Sequence, residues 1–210
     1  MAAMELDMTK KDLPEKETHN YAIINLRTKT GFTEHLLRRT WEQLEQDSLV
    51  RVLFYDGYIH FFDEFYDFLR SPDVIPFVIL KDAEIIGLWW LNTFKVIDGE
   101  RTARIHFTAF KNSIGTRRNA PSFGRKSIRY ALSLRDKEGY LIDKVLGVTP
   151  ATYRLALHYN EKAGMQQYGI AENACNLVYE NKVVDGILTY ATRDTMGLAE
   201  GKLETNLWVE

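Results

Sequence analysis

Hydrophobic and polar positions along the chain change period several times, and the changes mark out an alternating series of elements. Tyr21–Leu26 (YAIINL) reads as a short apolar strand. Thr33 is placed to cap a helix running to about Gln46, with Leu36, Leu37, Trp41 and Leu44 on one face. Val50–Phe54 is ambiguous. After the Asp56-Gly57 turn, the aromatic-rich run Tyr58–Leu69 has helical spacing, and Ser71-Pro72-Asp73 breaks it. The period then falls to two. Val74–Leu80 and Glu84–Phe94 are strands joined at Lys81-Asp82-Ala83, and Asp98-Gly99 turns into a third strand, Arg101–Phe110. A polar loop over Lys111–Ser122 precedes helical spacing at Ser127–Arg135, where Ile128, Ala131, Leu132 and Leu134 are apolar and Gly139 supplies a stop. Tyr140–Val148 is a strand. Thr149-Pro150 reads as N-cap and first helical residue of a helix ending at Ala163-Gly164, with Tyr153, Ala156, Leu157 and Tyr159 or Asn160 at helical spacing. Asn176–Tyr179 and Val183–Thr192 form a closing hairpin across Glu180-Asn181-Lys182.

This order predicts one α/β (α+β) domain over residues 20–193. Residues 1–19 are expected to be a mobile leader and residues 194–210 a polar tail of uncertain order, with Leu207-Trp208-Val209 able to dock. The length of 210 residues suits one sizeable core, and 45% apolar residues is ordinary for a globular chain. The formal charge of −2 offers no global attraction for nucleic acid or an anionic membrane, so any anion site must be built locally. Cys175 stands alone and cannot form an internal disulfide, which favours a reducing compartment. No apolar run reaches the roughly 18–20 residues of a membrane span, and the N-terminus lacks a signal-peptide core, so the expected location is cytoplasmic. Zinc spacing, a phosphate-binding Walker loop and a Ser-His-Asp pattern are missing, and no metal is expected.

The segment Val148–Gly169, with Asn160-Glu161-Lys162-Ala163-Gly164-Met165 at its centre, resembles the second half of the GNAT (Gcn5-related N-acetyltransferase) fold. There a strand leads to a helix ending in a Tyr-Glu-Lys-x-Gly-Phe-like sequence. The element order is similar to that fold along about Tyr21–Arg193. The resemblance implies a mixed, mostly antiparallel central sheet flanked by helices, with acetyl-CoA as acyl donor and a small-molecule or peptide amine as acceptor. The family's pyrophosphate loop, Arg/Gln-x-x-Gly-x-Gly/Ala, is matched in place by Arg118–Ser127, where only Gly124 corresponds to a motif glycine. The atypical loop is also compatible with a phage or mobile-element relative. Backbone N–H groups opening a helix suit an anion, and the nearby cations could add charge-assisted contacts. The resemblance therefore implies cofactor contacts from Arg118, Ser122, Phe123, Gly124, Arg125 and Lys126. It places the strand that pairs with the pantetheine arm near Phe107–Phe110, giving Thr108, Ala109 and Phe110.

A member of this family usually protonates the departing thiolate with a tyrosine on the last helix. Counting back from Gly164, that place holds Asn160, able to hydrogen-bond the sulfur, and Tyr159 falls one residue early. One residue is about 100° of helix, so both are not expected to face one sulfur. Tyr159 is either the acid or a core residue. His106 is the first candidate base because its ring titrates near neutrality, against the reading of a structural strand histidine; His60 and Glu64 follow. Two rivals stay open. One is a GNAT-fold protein with little or no catalysis that acts as a CoA-binding or interaction protein; a homodimer stays open on every reading. The other takes the basic cluster Arg117–Arg135 as a nucleic-acid contact, against which the acidic balance elsewhere argues.

Overall fold

The predicted elements are present, with boundaries moved where tertiary packing decides them. A computed structural model describes residues 21–27, 32–111 and 120–198. In chain order the elements are β1 (Tyr21–Asn25), α1 (Phe32–Gln46), the single turn α2 (Val50–Leu53), α3 (Phe62–Arg70), β2 (Ile75–Lys81), β3 (Glu84–Ile97) and β4 (Glu100–Ala109). There follow α4 (Ala120–Ser133), a two-residue hairpin of β5 (Arg135–Asp136) and β6 (Gly139–Tyr140), β7 (Lys144–Pro150), α5 (Arg154–Lys162), β8 (Gln166–Leu177) and β9 (Lys182–Thr192). Seven strands make one sheet in the order β1-β2-β3-β4-β7-β9-β8. Every neighbouring pair is antiparallel except β4 and β7. This is the mixed, mostly antiparallel sheet that the sequence led us to expect.

Strand alternation splits the apolar side chains of the sheet into two layers. On one face Phe77, Trp89, Leu91, Ala103 and Ile105 meet Phe123, Ile128, Ala131 and Leu132 of α4 and Ala163 after α5. Phe77 and Trp89 stack there at 3.9 Å. On the other face Val78, Leu88 and Trp90 meet Leu37, Trp41 and Leu44 of α1 and Phe65 and Leu69 of α3. Helices α1, α3 and α4 each bury one stripe against the sheet, as their periodicity predicts.

The moved boundaries have identifiable causes. The aromatic helix starts at Phe62, because the Glu64 carboxylate accepts the N–H groups of His60 (2.6 Å) and Phe61 (3.2 Å) and holds that stretch extended. Tyr58 and Phe61 are left exposed. Helix α4 begins at Ala120, inside the expected loop; Pro121 is tolerated in a first turn, and Phe123 is buried. Thr149-Pro150 ends β7 rather than starting a helix. Pro150 pairs only with Gly186 on the β9 side, so its missing N–H removes nothing from a ladder with β4. Gly139, at φ 124°, turns the β5–β6 hairpin instead of stopping a helix. Strand β8 starts ten residues before the expected Asn176, since an edge strand with mostly exposed side chains has no alternation to read. Thr33's side chain, Leu207-Trp208-Val209 and the leader lie outside the described residues. Among the described residues no helix is long and apolar enough to cross a membrane.

Candidate active site

Strands β4 and β7 form a V. They are in register only over Thr102, Ala103 and Arg104 against Lys144, Val145 and Leu146. The closed end is tied by Asp143, whose N–H donates to the Arg101 carbonyl (2.7 Å) and whose carboxylate accepts the Arg101 N–H (2.8 Å) and the Arg193 guanidinium (2.8 Å). Partial burial works to raise the Asp143 pKa, and these donors outweigh it and hold the carboxyl below its usual range. Beyond Arg104 the strands separate. A cleft of about 260 Å³ opens between Ile105–Ala109 of β4 and Gly147–Pro150 of β7.

The ladder with β3 fixes which backbone groups line this gap. Phe110 N–H donates to Ile86 at 3.0 Å. Antiparallel alternation then turns Thr108 and His106 toward Leu88 and Trp90 in β3, and turns the N–H and C=O groups of Ile105, Phe107 and Ala109 toward the cleft. Ala109, one of the positions that the resemblance implies for the pantetheine arm, therefore turns its backbone groups toward the cleft. Thr108 and Phe110 spend their backbone groups on β3, and the Phe110 side chain is wholly buried.

Helix α4 meets the open end of the V. A Cβ at Gly87 would stand 2.2 Å from the Phe123 ring and 2.9 Å from the Thr108 carbonyl, so a bare backbone in β3 admits the first turn of α4. A Cβ at Gly124 would stand 2.9 Å from Ala163 Cβ and 3.1 Å from the Tyr159 hydroxyl, so α5 lies directly against α4 at this point. The first-turn N–H groups of α4 have no partner within the helix. Arg125 is exposed and Lys126 half-buried on the same turn and the next. Ser122 is described in its backbone only, and Arg118 lies outside the described residues.

Tyr159 and Asn160 both line the cleft. They do so at different walls, which is how two successive helical residues share one cavity. The Tyr159 ring lies 5.3 Å from Phe107, and its buried hydroxyl, beside the Gly124 backbone, makes no well-formed hydrogen bond. Burial pushes the phenol well above its usual pKa, and the Gly124 N–H opposes this only weakly. Asn160 Nδ2 donates to Thr149 Oγ1 at 2.8 Å, which fixes the amide against β7.

His106 sits on the opposite face of β4, stacked on Trp90 at 4.8 Å and 7°. Its Nε2 is buried with no partner among the described residues, and burial, with Arg104 nearby, holds its pKa down to about 3. The ring is neutral at physiological pH. On this face the cleft is walled by Leu49, Val52, Leu53, Tyr55 and Tyr153. None of those five residues has a sequence signal for a site; only the course of the chain brings them together. His60 and Glu64 sit elsewhere, His60 against Tyr179 (3.1 Å).

No family model matches the chain and no curated protein matches its sequence. Solved structures do match its fold. Spermidine N-acetyltransferase from Vibrio cholerae, in complex with CoA and spermine, superposes with a TM-score of 0.64 at 13% identity, covering 86% of this chain and 99% of that one. The dodecameric form of that enzyme in an intermediate state gives 0.61 at 14% identity, covering 89% and 100%. The chain thus has the GNAT fold, on an almost wholly different sequence.

Proposed function

We propose that the chain is an acetyl-CoA-dependent N-acetyltransferase acting on an amine. The observation that carries this reading is the V between β4 and β7. Among the described residues it leaves the cleft-facing strand backbone of Phe107 and Ala109 without a strand partner, beside the first turn of a fourteen-residue helix. An extended amide-bearing arm can add to that edge as a further strand would, and a pyrophosphate can take the free N–H groups of α4. Arg125 and Lys126 supply charge there, Gly124 and Phe123 hold the turn in place, and the resemblance adds Arg118 to the set. CoA has both parts, and the CoA complex of a protein with this fold supports the choice.

In the reaction the amine nitrogen attacks the thioester carbon, the C–N bond forms and the C–S bond breaks. The nitrogen sheds one proton to water, the departing sulfur gains one, and water reprotonates whichever group supplied it. Tyr159 is protonated at neutral pH and lines the cleft, so it is the residue that can give that proton; Asn160 can hydrogen-bond the sulfur. His106, with its pKa near 3, is not a base that could strip an ammonium ion; it can accept an N–H from a neutral amine. Positioning is thus expected to supply most of the rate. Calorimetric titration with acetyl-CoA, followed by thiol release on an amine panel, tests the reading. Binding in the micromolar range with amine-dependent thiol release supports it, and no binding at millimolar acetyl-CoA overturns it.

A second reading has one observation in its favour. The Tyr159 ring fills the contact between α4 and α5. If that is its whole role, the fold binds CoA without turnover, and CoA binding with no thiol release on any amine would favour that reading.

A further inference from the structure

The acyl-transfer reading leaves the acceptor open, and the wall of the cleft on the α1–α3 side narrows it. Tyr55 and Tyr153 meet edge to face there, with ring centroids 6.1 Å apart. The Tyr55 hydroxyl is turned away from the cleft wall's apolar side chains toward Cys175 Sγ, 3.7 Å distant. Leu49, Val52 and Leu53 complete an apolar surface, and Val52 is half exposed at the mouth. His106 lines the cleft on this side, and its buried Nε2 has no hydrogen-bond partner among the described residues. An unmatched buried acceptor of this kind is normally satisfied by a donor.

The charges around this wall oppose a polycation. Among the described residues no carboxylate lines the cleft. Asp56, beside Tyr55, is exposed, and Glu180, within electrostatic reach of Tyr153, lies 4.0 Å from Lys182. Arg104 shares the face of β4 with His106 and places a positive charge within reach of Tyr55 and His106. A second and third ammonium group would enter an apolar wall that offers no counter-ion among the described residues, and the uncompensated loss of hydration disfavours them.

We propose that this half of the cleft takes a single amine borne on an aromatic body, delivered as the neutral amine, with Tyr55 and Tyr153 packing the body and His106 Nε2 accepting an amine N–H. The amine then attacks the acetyl thioester with the proton balance given above. This rests on the acyl-transfer reading. It also separates the chain from the spermidine enzymes whose fold it shares.

The test uses the full chain with acetyl-CoA and compares 2-phenylethylamine, 4-methylaniline and spermidine by thiol release, with acetyl-CoA binding measured by calorimetry. At least one aromatic amine is expected to exceed spermidine by tenfold or more in kcat/KM. Tyr153→Ala is expected to raise KM for that amine by tenfold or more while acetyl-CoA affinity stays within twofold. The double variant Asp56→Asn, Glu180→Gln is expected to leave its turnover within twofold. Spermidine turned over equally well or better, an unchanged KM in Tyr153→Ala, or acetyl-CoA binding without thiol release on either aromatic amine each overturns the proposal. Failure to bind acetyl-CoA at all would instead overturn the reading beneath it.

Discussion

The two ends of the V between β4 and β7 differ in how they treat polar groups. At the closed end the Asp143 carboxylate and the Arg101 N–H are paired, and three residues of strand are in register. At the open end the backbone of Phe107 and Ala109 faces a gap; among the described residues the buried Nε2 of His106 has no hydrogen-bond partner and the Tyr159 hydroxyl has only a poorly formed contact with the Gly124 backbone. A fold gains stability by satisfying buried polar groups, so a cluster of unsatisfied ones around a cavity marks a place kept for something else.

Trp90→Ala should have the largest effect, because Trp90 is nearly fully buried and backs His106 at the open end. We expect a loss of about 3–5 kcal/mol in urea denaturation. The histidine it stacks on should then titrate well above its present value near 3, read by NMR. An unmoved His106 would show that Trp90 does not set that burial.

The two ends should also titrate in different windows. The folded pKa of His106 lies below its ordinary 6.5, so the unfolded chain binds the extra proton. Stability should be full above about pH 6.5 and fall as pH drops toward 3. The loss is roughly 2 kcal/mol by pH 5, from about 1.4 kcal/mol per pH unit. His106→Gln should abolish that slope. Asp143, with its pKa depressed, contributes above the ordinary carboxylate range and loses its contribution only as pH falls through its folded value. Asp143→Asn should cost about 1–3 kcal/mol at pH 7 and flatten only the most acidic limb of the curve. Equal slopes from pH 7 to 5 in wild type and His106→Gln would break the contrast.

Tyr159→Phe separates chemistry from packing. Removing an unsatisfied hydroxyl should leave stability within about 1 kcal/mol of wild type or raise it. If the hydroxyl donates the proton, kcat should fall by roughly a hundredfold or more, with acetyl-CoA affinity unchanged. The smallest effect should come from Asn160→Ala, which deletes one hydrogen bond to Thr149 at a cost of about 1 kcal/mol by thermal unfolding.

Much of the fold was legible along the chain. Leu36, Leu37, Trp41 and Leu44 mark the buried stripe of α1, and Asp98-Gly99 places the β3–β4 hairpin. Where local pattern and tertiary demand diverge, the reading slipped. Thr149-Pro150 has the chemistry of a helix start, yet the chain stays extended because β9 pairs with it through Gly186. The edge strand β8 exposes most of its side chains, so Gln166–Cys175 had no apolar alternation to show.

The site divides in the same way. By itself the sequence determined most of the order of elements and the apolar stripes of α1 and α4, because periodicity and turn chemistry are local properties; the grouping of Gly124, Tyr159 and Asn160 came from the family resemblance. Only the tertiary structure decided that β4 and β7 part after Arg104. It alone turned Phe107 and Ala109, rather than Thr108 and Phe110, toward the gap, and made His106 a neutral, buried acceptor. It also brought Leu49, Tyr55 and Tyr153 together into one wall. Strand splay, hydrogen-bond phase and desolvation depend on which segments lie side by side, and residues a hundred positions apart carry no local mark of that.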